Sequence, residues 1–304
     1  MGVDFHFLNV GHGDCTIVYW PERTVGEKTK NERIMMVDIY HDEDEEDFDN
    51  VLNYYKENFK NADGSIKPIF RLVCSHPHQD HICGLKKLCD DNGIKILNFW
   101  DLDHSFVPTD FNGHPTHEED WNAYETLGNE SSSATVLKYT RETKPQPFWD
   151  DDGDRITILS PSKALIKQSH YKDDGSKKDI VDIDEMSYAL SIQVNSRSVI
   201  LAGDGRSAPT WNDIYENCKE TLKKCHVLKA GHHGHECSFH EDALKLMAPV
   251  CIVFSNSEDD HKEHGAEKEY KRVCPNSTIC NTWKGTVIVS VPFEKEKPIS
   301  VKQG

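Results

Sequence analysis

The chain has 304 residues, which is enough to bury a substantial hydrophobic core in one large α/β domain or in two small ones. Acidic residues outnumber basic residues by 17, so the surface should repel polyanions and should not bind long nucleic acid indiscriminately. No apolar run approaches the roughly 18 residues that a membrane-spanning helix needs, so we expect a soluble protein that does not enter a membrane.

The first predicted elements are strands. Residues 4–20 alternate between apolar and polar side chains and are interrupted by two glycines, a pattern that predicts two strands joined by a tight turn. That turn places Asp14 at one end of a sheet. Residues 34–39 predict a third strand with Asp38 at its exit, and the apolar spacing within residues 45–60 indicates a helix that covers one face of the sheet.

The segment 75–81 is the strongest functional motif in the chain. It reads Ser-His-Pro-His-Gln-Asp-His and follows an apolar run that predicts a strand. Three histidines and an aspartate in a loop just past a strand are groups that bind metal ions. His76 and His78 are two residues apart and project the same way from an extended segment. Asp80 and His81 follow the turn and can face a second ion, so the motif predicts a site for two metal ions.

The region after this motif is less regular. Residues 84–90 predict a helix and residues 94–100 a strand, after which the segment of about 101–154 is polar and contains many Gly and Pro residues. We interpret this segment as an insertion that could cover the metal site. It contains two candidate helices, at 118–127 and 132–140. Its histidines are more often exposed loop residues than ligands.

The second half of the chain again alternates strands and helices, which is an α/β pattern. Residues 188–194 and 198–202 predict a hairpin that leads to Asp204. A carboxylate at the end of such an apolar strand is costly to bury without a cation, so Asp204 is a further candidate ligand. The other predicted elements are strands at 155–159, 226–230, 250–255 and 285–291 and helices at 208–223, 239–247 and 264–273.

Several of these motifs together resemble one known family. The His-x-His-x-Asp-His pattern at 76–81 is similar to that of the metallo-β-lactamase-fold hydrolases. Five other stretches resemble the branch that contains the soluble domain of the ComEC/Rec2 competence proteins and the phosphorylcholine esterases: Phe7–Asp14, Met36–Asp38, Val199–Asp204, Val227–Gly234 and Gly285–Val287. The resemblance implies a four-layer αββα sandwich, here with the polar insertion. Because the motifs are in order along the chain, we expect a single domain over 1–304.

The resemblance also implies roles for particular residues. It implies that Asp204 bridges two ions and that His233, or its neighbour His232, completes a metal shell. Asp38 would accept a hydrogen bond from a ligand imidazole and so orient it. Asp14 is a further candidate for such a supporting role or for contact with the substrate.

One position departs from the family pattern. Many members have a histidine just ahead of the hairpin, whereas residues 182–187 contain none, and Asp184 stands where the competence-protein branch often has Asn. We therefore expect one ion to have an open or oxygen-rich shell, which would loosen zinc binding and admit manganese. Asp80 would orient the attacking water and bind the second ion. His264 could contact the leaving group or a phosphate.

These residues predict a hydrolase with two divalent ions, zinc or manganese. Two ions roughly 3.5–4 Å apart hold a hydroxide at neutral pH and stabilise the charge that develops at the attacked centre, so no nucleophilic side chain is needed. The resemblance favours a phosphodiesterase or nuclease, with a phosphoester, a nucleic acid or a nucleotide as substrate. The site chemistry also suits a small ester, lactone or β-lactam, and a non-catalytic binding or assembly module on the same fold is a third alternative.

Surface charge and location complete the predictions. Long nucleic acid would be a substrate only if Lys86, Lys87, Lys223, Lys224 and Lys229 formed a basic edge near the metal ions. The chain begins in a strand-like segment without a basic and apolar leader, and its ten cysteines are scattered singly, mostly in apolar runs. We therefore expect a cytoplasmic protein, whose oligomeric state the sequence does not predict.

Overall fold

The structure of the chain is a computed structural model. It describes residues 1–42, 48–91, 93–109, 111, 115–129, 133–146, 149–151, 154–172, 174–179 and 181–304. The start of the helix predicted at 45–60, the first residue of the helix predicted at 132–140 and parts of the insertion at 101–154 lie outside the described residues.

Contacts between residues divide the chain into two compact units. The first unit comprises residues 1–101, 108–137 and 282–304, and the second comprises residues 102–107 and 138–281. Each unit contains one large sheet. The single domain predicted over 1–304 stays a prediction.

Among its described residues, the first unit is built around a sheet of eight strands, accompanied by a two-stranded ribbon and four helices. The strands are β1 (Gly2–Phe7), β2 (Thr16–Trp20), β3 (Arg23–Val25), β4 (Lys28–Lys30), β5 (Arg33–Val37), β6 (Arg71–Val73), β7 (Asn98–Asp101), β8 (Thr135–Lys138), β16 (Val287–Pro292) and β17 (Ser300–Gln303). The helices are α1 (Val51–Asn58), α2 (Gln79–Ile82), α3 (Leu85–Asp90) and α4 (Pro115–Leu127). The large sheet has the order β17-β16-β1-β2-β5-β6-β7-β8, and β3 pairs with β4.

The strand directions in this sheet bring two loops together. β1 pairs antiparallel with β2 and β16, whereas β5, β6 and β7 run parallel. Parallel neighbours end at the same edge of a sheet, so Asp38 after β5 lies beside Ser75 after β6. The Asp38 N–H donates to the Val73 carbonyl oxygen at 2.9 Å. The predicted strand ending at Asp38 is therefore present, and its exit adjoins the histidine motif.

The second unit contains a sheet of seven strands and six helices among its described residues. The strands are β9 (Asp150–Asp151), β10 (Asp154–Ser160), β11 (Ala189–Val194), β12 (Arg197–Leu201), β13 (Cys225–Lys229), β14 (Cys251–Phe254) and β15 (Thr278–Asn281). The helices are α5 (Lys163–His170), α6 (Asn212–Asn217), α7 (Lys219–Leu222), α8 (Glu241–Met247), α9 (Glu258–His264) and α10 (Glu267–Val273). The sheet has the order β15-β14-β13-β12-β11-β10-β9.

Four parallel strands of this second sheet end at one edge. β12, β13, β14 and β15 run parallel, and their apolar residues Ile200, Leu228 and Ile252 are buried in one core cluster. The segments that follow β12, β13 and β14 therefore begin at the same edge. These are the segments that carry Asp204, the paired histidines at 232–233 and Ser255.

The helix predicted at 208–223 is divided at Cys218 into α6 and α7, after a short π-helical turn at 207–211. Two other predicted helices also differ from the structure. Within 132–140, residues 135–138 form β8, and the Thr135 N–H donates to the Leu97 carbonyl oxygen at 3.0 Å. Within 264–273, α9 ends at His264 and α10 begins at Glu267, because Gly265 pairs with His235 in an isolated β-bridge. In both places a partner elsewhere in the chain overrides the local helical pattern.

Among the described residues, the longest helix is α4 with 13 residues, and none is both long and apolar enough to cross a membrane.

Candidate metal-binding residues in the two units

The histidine motif of the first unit is held by its neighbour strand. The Ser75 N–H donates to Asp38 Oδ1 at 2.6 Å, and His81 Nδ1 lies 3.0 Å from Asp38 Oδ2. A carboxylate oxygen can only accept, so His81 donates from Nδ1, and in the neutral ring Nε2 carries the lone pair. Asp38 therefore fixes the tautomer and orientation of the His81 ring. That this ring binds a metal, with Asp38 behind it, stays a prediction.

The three imidazoles of the motif lie against one another. The ring centroid of His76 is 4.1 Å from that of His81 and 4.7 Å from that of His78. His76 Nε2 and His78 Nδ1 are 3.0 Å apart, and His81 Nε2 is 3.4 Å from Asp80 Oδ2. His76 and His81 are fully buried, whereas the Asp80 side chain is 37% exposed. Four potential ligands therefore crowd together, with one carboxylate at the open side.

The glycine-containing turn at residues 11–14 packs against this motif. The Asp14 N–H donates to the Asp80 carbonyl oxygen at 3.0 Å, and Asp14 Oδ2 is 4.0 Å from His81 Nδ1. A Cβ at Gly13 would lie 2.3 Å from the Tyr40 ring and 2.5 Å from the Asp80 carbonyl oxygen. No larger residue fits without displacing Asp80, so the glycine allows the turn to approach the motif.

The second unit carries its own histidine–carboxylate set. His233 Nε2 is 3.3 Å from Asp204 Oδ2, and His232 Nε2 is 4.0 Å from the same oxygen. Asp204 and His233 are 2% and 3% exposed, so neither is solvated as a surface group would be. Both histidines have left-handed backbone conformations, with φ values of 48° at His232 and 55° at His233. These strained conformations turn the two side chains in different directions.

A main-chain oxygen fixes the orientation of His233. Its Nδ1 lies 3.0 Å from the Ser255 carbonyl oxygen, which can only accept, so Nδ1 carries the proton. The lone pair of a neutral ring is then on Nε2, which faces the Asp204 carboxylate at 3.3 Å. A lone pair facing a buried carboxylate is repulsive unless a cation lies there, either a second ring proton or a metal ion. The chemistry of this donor set therefore fits a divalent metal.

Asp184 interacts with an arginine that the sequence analysis did not single out. Asp184 is buried in a short 3-10 turn, and Arg206 approaches it at 3.5 Å and Asp182 at 3.1 Å. The Arg206 side chain is 45% exposed and follows Asp204 by two residues. Its place two residues after a candidate ligand is the sequence signal that could have drawn attention to it.

His264, which was predicted to contact the leaving group or a phosphate, lies beside His235. Its side chain is 53% exposed at the end of α9, and its ring centroid is 5.2 Å from that of His235. His235 in turn bonds Asp260 at 2.8 Å. The sequence analysis missed His235 and Asp260, although the Gly-His-His-Gly-His-Glu-Cys sequence at 231–237 offers three imidazoles and a thiol within seven residues.

The first unit has a cavity of about 450 Å³ next to the histidine motif. Its lining is mixed in charge: the basic groups include His12, Lys86, Lys87 and His117, and the acidic groups are Asp42, Asp80, Glu119 and Asp120. The inserted segment contributes through α4, where Asp120 accepts hydrogen bonds from the Gly84 and Lys86 N–H groups at 3.0 and 2.9 Å. Burial raises the pKa of Asp120.

The other lysines of the proposed basic edge are arranged differently. Lys229 is 3% exposed, and its Nζ lies 3.4 Å from the Ala202 carbonyl oxygen, so it contributes nothing to an exposed edge. Lys223 pairs with Glu220 at 2.5 Å. The continuous basic edge that long nucleic acid would need is therefore interrupted within the second unit.

Comparison with known proteins shows structural relatives only. No family model matches the sequence, and no curated protein matches it. The chain is similar to the solved structure of Igni18, a metallo hydrolase from the archaeon Ignicoccus hospitalis, with 15% identity and a TM-score of 0.53 over 95% of this chain and all of that one. It is also similar to yeast PDE1, with 12% identity and a TM-score of 0.53 over 96% of this chain and all of that one.

Identities this low show a shared fold and no more. The matches span nearly the whole of both chains, and the predicted fold class, an α/β fold of the metallo-β-lactamase type, is confirmed. The narrower resemblance to the ComEC/Rec2 and phosphorylcholine esterase branch stays a prediction.

Proposed function

We propose that this chain is a metal-dependent hydrolase that cleaves phosphodiesters. The observation that supports this most directly is the arrangement of His81 and His233. In each, one ring nitrogen is turned towards an oxygen that can only accept, and the other faces a carboxylate at 3.3–3.4 Å. Imidazoles fixed in this way are typical of metal ligands.

The proposed ligands are His76, His78, Asp80 and His81 in the first unit and Asp204 and His233 in the second. That these two sets share one binuclear centre follows from the sequence resemblance and stays a prediction, as does the choice between zinc and manganese. Bound divalent ions would supply Lewis acidity for an attacking water and for the phosphoryl oxygens. Asp80, whose side chain is 37% exposed, would orient that water.

Charge and cavity size favour a compact substrate over a polymer. The net charge of −17 opposes long polyanions, and the buried Lys229 and the paired Lys223 leave no continuous basic edge there. The cavity beside Asp80 has about 450 Å³ and is lined by both basic and acidic side chains, so its size and charge suit at most a single phosphate group. We therefore favour a small phosphodiester, such as a nucleotide, and place the protein in the cytoplasm, where its ten free thiols would stay reduced.

The test is a substrate panel with added zinc or manganese. We expect hydrolysis of bis(p-nitrophenyl) phosphate but not of nitrocefin or a thioester, and weak or no digestion of plasmid and single-stranded DNA. Asp80→Ala should abolish the activity. Asp179→Ala is the matched control, because the Asp179 carboxylate is 94% exposed and pairs with the exposed Lys172 at 3.6 Å.

Three other results would contradict the proposal. Hydrolysis of nitrocefin alone would favour a β-lactam or lactone substrate. Rapid digestion of DNA would leave phosphodiester cleavage in place but contradict the preference for a compact substrate, and would favour a nuclease. Less than one equivalent of bound zinc, manganese or iron in the purified protein, with no activity on any substrate, would favour a non-catalytic binding module.

A further inference from the structure

A second group of metal-binding side chains lies in the second unit. It consists of His232, His235 and Cys237, which we call the 232–237 cluster. One donor atom from each of the three lies within 4.8 Å of the others. The rings of His232 and His235 are stacked with centroids 4.8 Å apart and planes at 23°, and His232 Nδ1 is 3.6 Å from Cys237 Sγ.

The neighbouring residues His232 and His233 face different partners. His233 faces Asp204 at 3.3 Å, whereas His232 is 4.0 Å from Asp204 by its Nε2 and 3.6 Å from Cys237 by its Nδ1. Their consecutive left-handed conformations separate the rings, whose planes are 77° apart. The His233 ring is therefore the nearer of the two to Asp204, and the Nδ1 of His232 faces Cys237.

A carboxylate orients His235 within the cluster. Its Nε2 lies 2.9 and 2.8 Å from the two oxygens of Asp260, so it donates a proton to that carboxylate. Nδ1 is then the nitrogen available to a metal. A carboxylate that holds the far side of a ligand imidazole is the usual support of a metal-binding histidine.

The donor set selects a particular class of ion. Two imidazoles and one thiolate suit a thiophilic cation such as Zn²⁺ and are poor ligands for Mg²⁺ or Ca²⁺, which prefer oxygen. Cys237 is exposed, so a fourth position is open to solvent. We propose that the 232–237 cluster is a separate site for one thiophilic divalent cation, with Asp260 orienting His235.

This site does not depend on the proposed hydrolase activity, but it adjoins the residues proposed for it. His232 reaches Cys237 with one ring nitrogen and approaches Asp204 with the other at 4.0 Å. An ion on the cluster would hold the His232 ring in place beside that carboxylate. It would also place positive charge there and disfavour a second ion through like-charge repulsion.

Cobalt is the probe that reports on the thiolate directly. The full-length protein is freed of metal with a chelator and titrated with Co²⁺, and thiolate-to-cobalt charge transfer is followed in the near ultraviolet. We expect the wild type to gain this absorption as cobalt is added, with an amplitude that corresponds to one thiolate-bound ion, and to lose it when Zn²⁺ is added. Cys237→Ser should abolish the absorption and lower the number of bound ions by one.

The matched control is Cys89→Ser, because Cys89 is the other exposed thiol and belongs to no such cluster among the described residues. It should leave the absorption unchanged. Asp260→Asn should weaken cobalt binding by about 10–100-fold, as loss of a partner behind a ligand histidine does. Asp204→Asn should retain the absorption, which separates this site from the proposed catalytic residues.

Two outcomes would overturn the proposal. If the wild type binds cobalt without charge transfer, the cysteine and histidines form only a hydrogen-bonded group. If Cys237→Ser retains the full absorption, another thiol binds the ion. Circular dichroism of each variant checks that it is folded.

Discussion

The loop after β6 and the loop after β13 both present histidines to a carboxylate, but they are built in different ways. In the first, residues 75–81 run through an extended segment into α2, and a side-chain carboxylate, Asp38, orients His81 at 3.0 Å. In the second, two consecutive residues adopt left-handed conformations, and a main-chain oxygen, that of Ser255, orients His233 at 3.0 Å. The first loop therefore depends on a replaceable side chain and the second on backbone geometry.

The largest expected effect is a loss of catalytic activity when either loop is changed, which tests whether both loops contribute to one function. His81→Ala in the first loop and Asp204→Asn in the second should each lower kcat/KM on bis(p-nitrophenyl) phosphate by more than about 100-fold, beyond the range typical of residues that only support a ligand. Metal content should fall in both. The control is His226→Ala, an exposed histidine that bonds the Lys224 carbonyl oxygen. If either variant kept near-normal activity, its loop would not be part of the active site.

The next effect concerns the groups that orient the ligands. Asp38→Asn removes the charge behind His81 and should lower metal affinity by about 10–100-fold. Ser255→Ala should change metal affinity little, because the carbonyl oxygen that His233 contacts remains. Metal titration of both variants makes the comparison. Equal losses of metal affinity in the two variants would contradict the assignment of the Asp38 side chain and the Ser255 carbonyl oxygen as the orienting groups.

The third effect measures how closely the second loop is packed. A Cβ at Gly234 would lie 2.0 Å from the Phe254 ring, and the residue has a φ of +93°. Gly234→Ala should lower the free energy of unfolding by about 2–4 kcal/mol, from overpacking together with backbone strain. Gly64→Ala is the control, because Gly64 has a φ of +85° but nothing within 4 Å of its Cβ position, so only the strain should appear. Stability is measured by urea denaturation. Equal losses in the two variants would contradict the predicted overpacking against Phe254.

The smallest expected effect isolates the strain at His232. His232→Gly and His232→Ala both remove the imidazole, but only glycine adopts a φ of 48° without steric cost. The glycine variant should therefore be more stable than the alanine variant by about 1 kcal/mol. Thermal or urea unfolding of the pair gives the difference. An alanine variant at least as stable as the glycine variant would mean that the left-handed conformation is not present in solution.

Local sequence patterns predicted the first loop well. Its candidate ligands lie within six residues, and Asp38 and Ser75 follow adjacent parallel strands whose apolar runs are visible in the sequence. The hairpin of β11 and β12 was also predictable, since Asn195 supplies the left-handed residue of its turn with a φ of 56°. In such cases the determining contacts are close along the chain or follow a period of two.

Tertiary structure alone decided the elements that depend on a distant partner. Thr135–Lys138 has a helical pattern but forms a strand beside β7, and the helix predicted at 264–273 is interrupted where Gly265 pairs with His235. The same is true of the 232–237 cluster, where Asp260 from α9 lies behind His235. The sequence by itself determined the alternating strands, the α/β class and the histidine motif, because these are encoded in local periodicity and spacing. The pairing of edge strands and the partner of each histidine depend on which segments meet in space, and no local pattern carries that information.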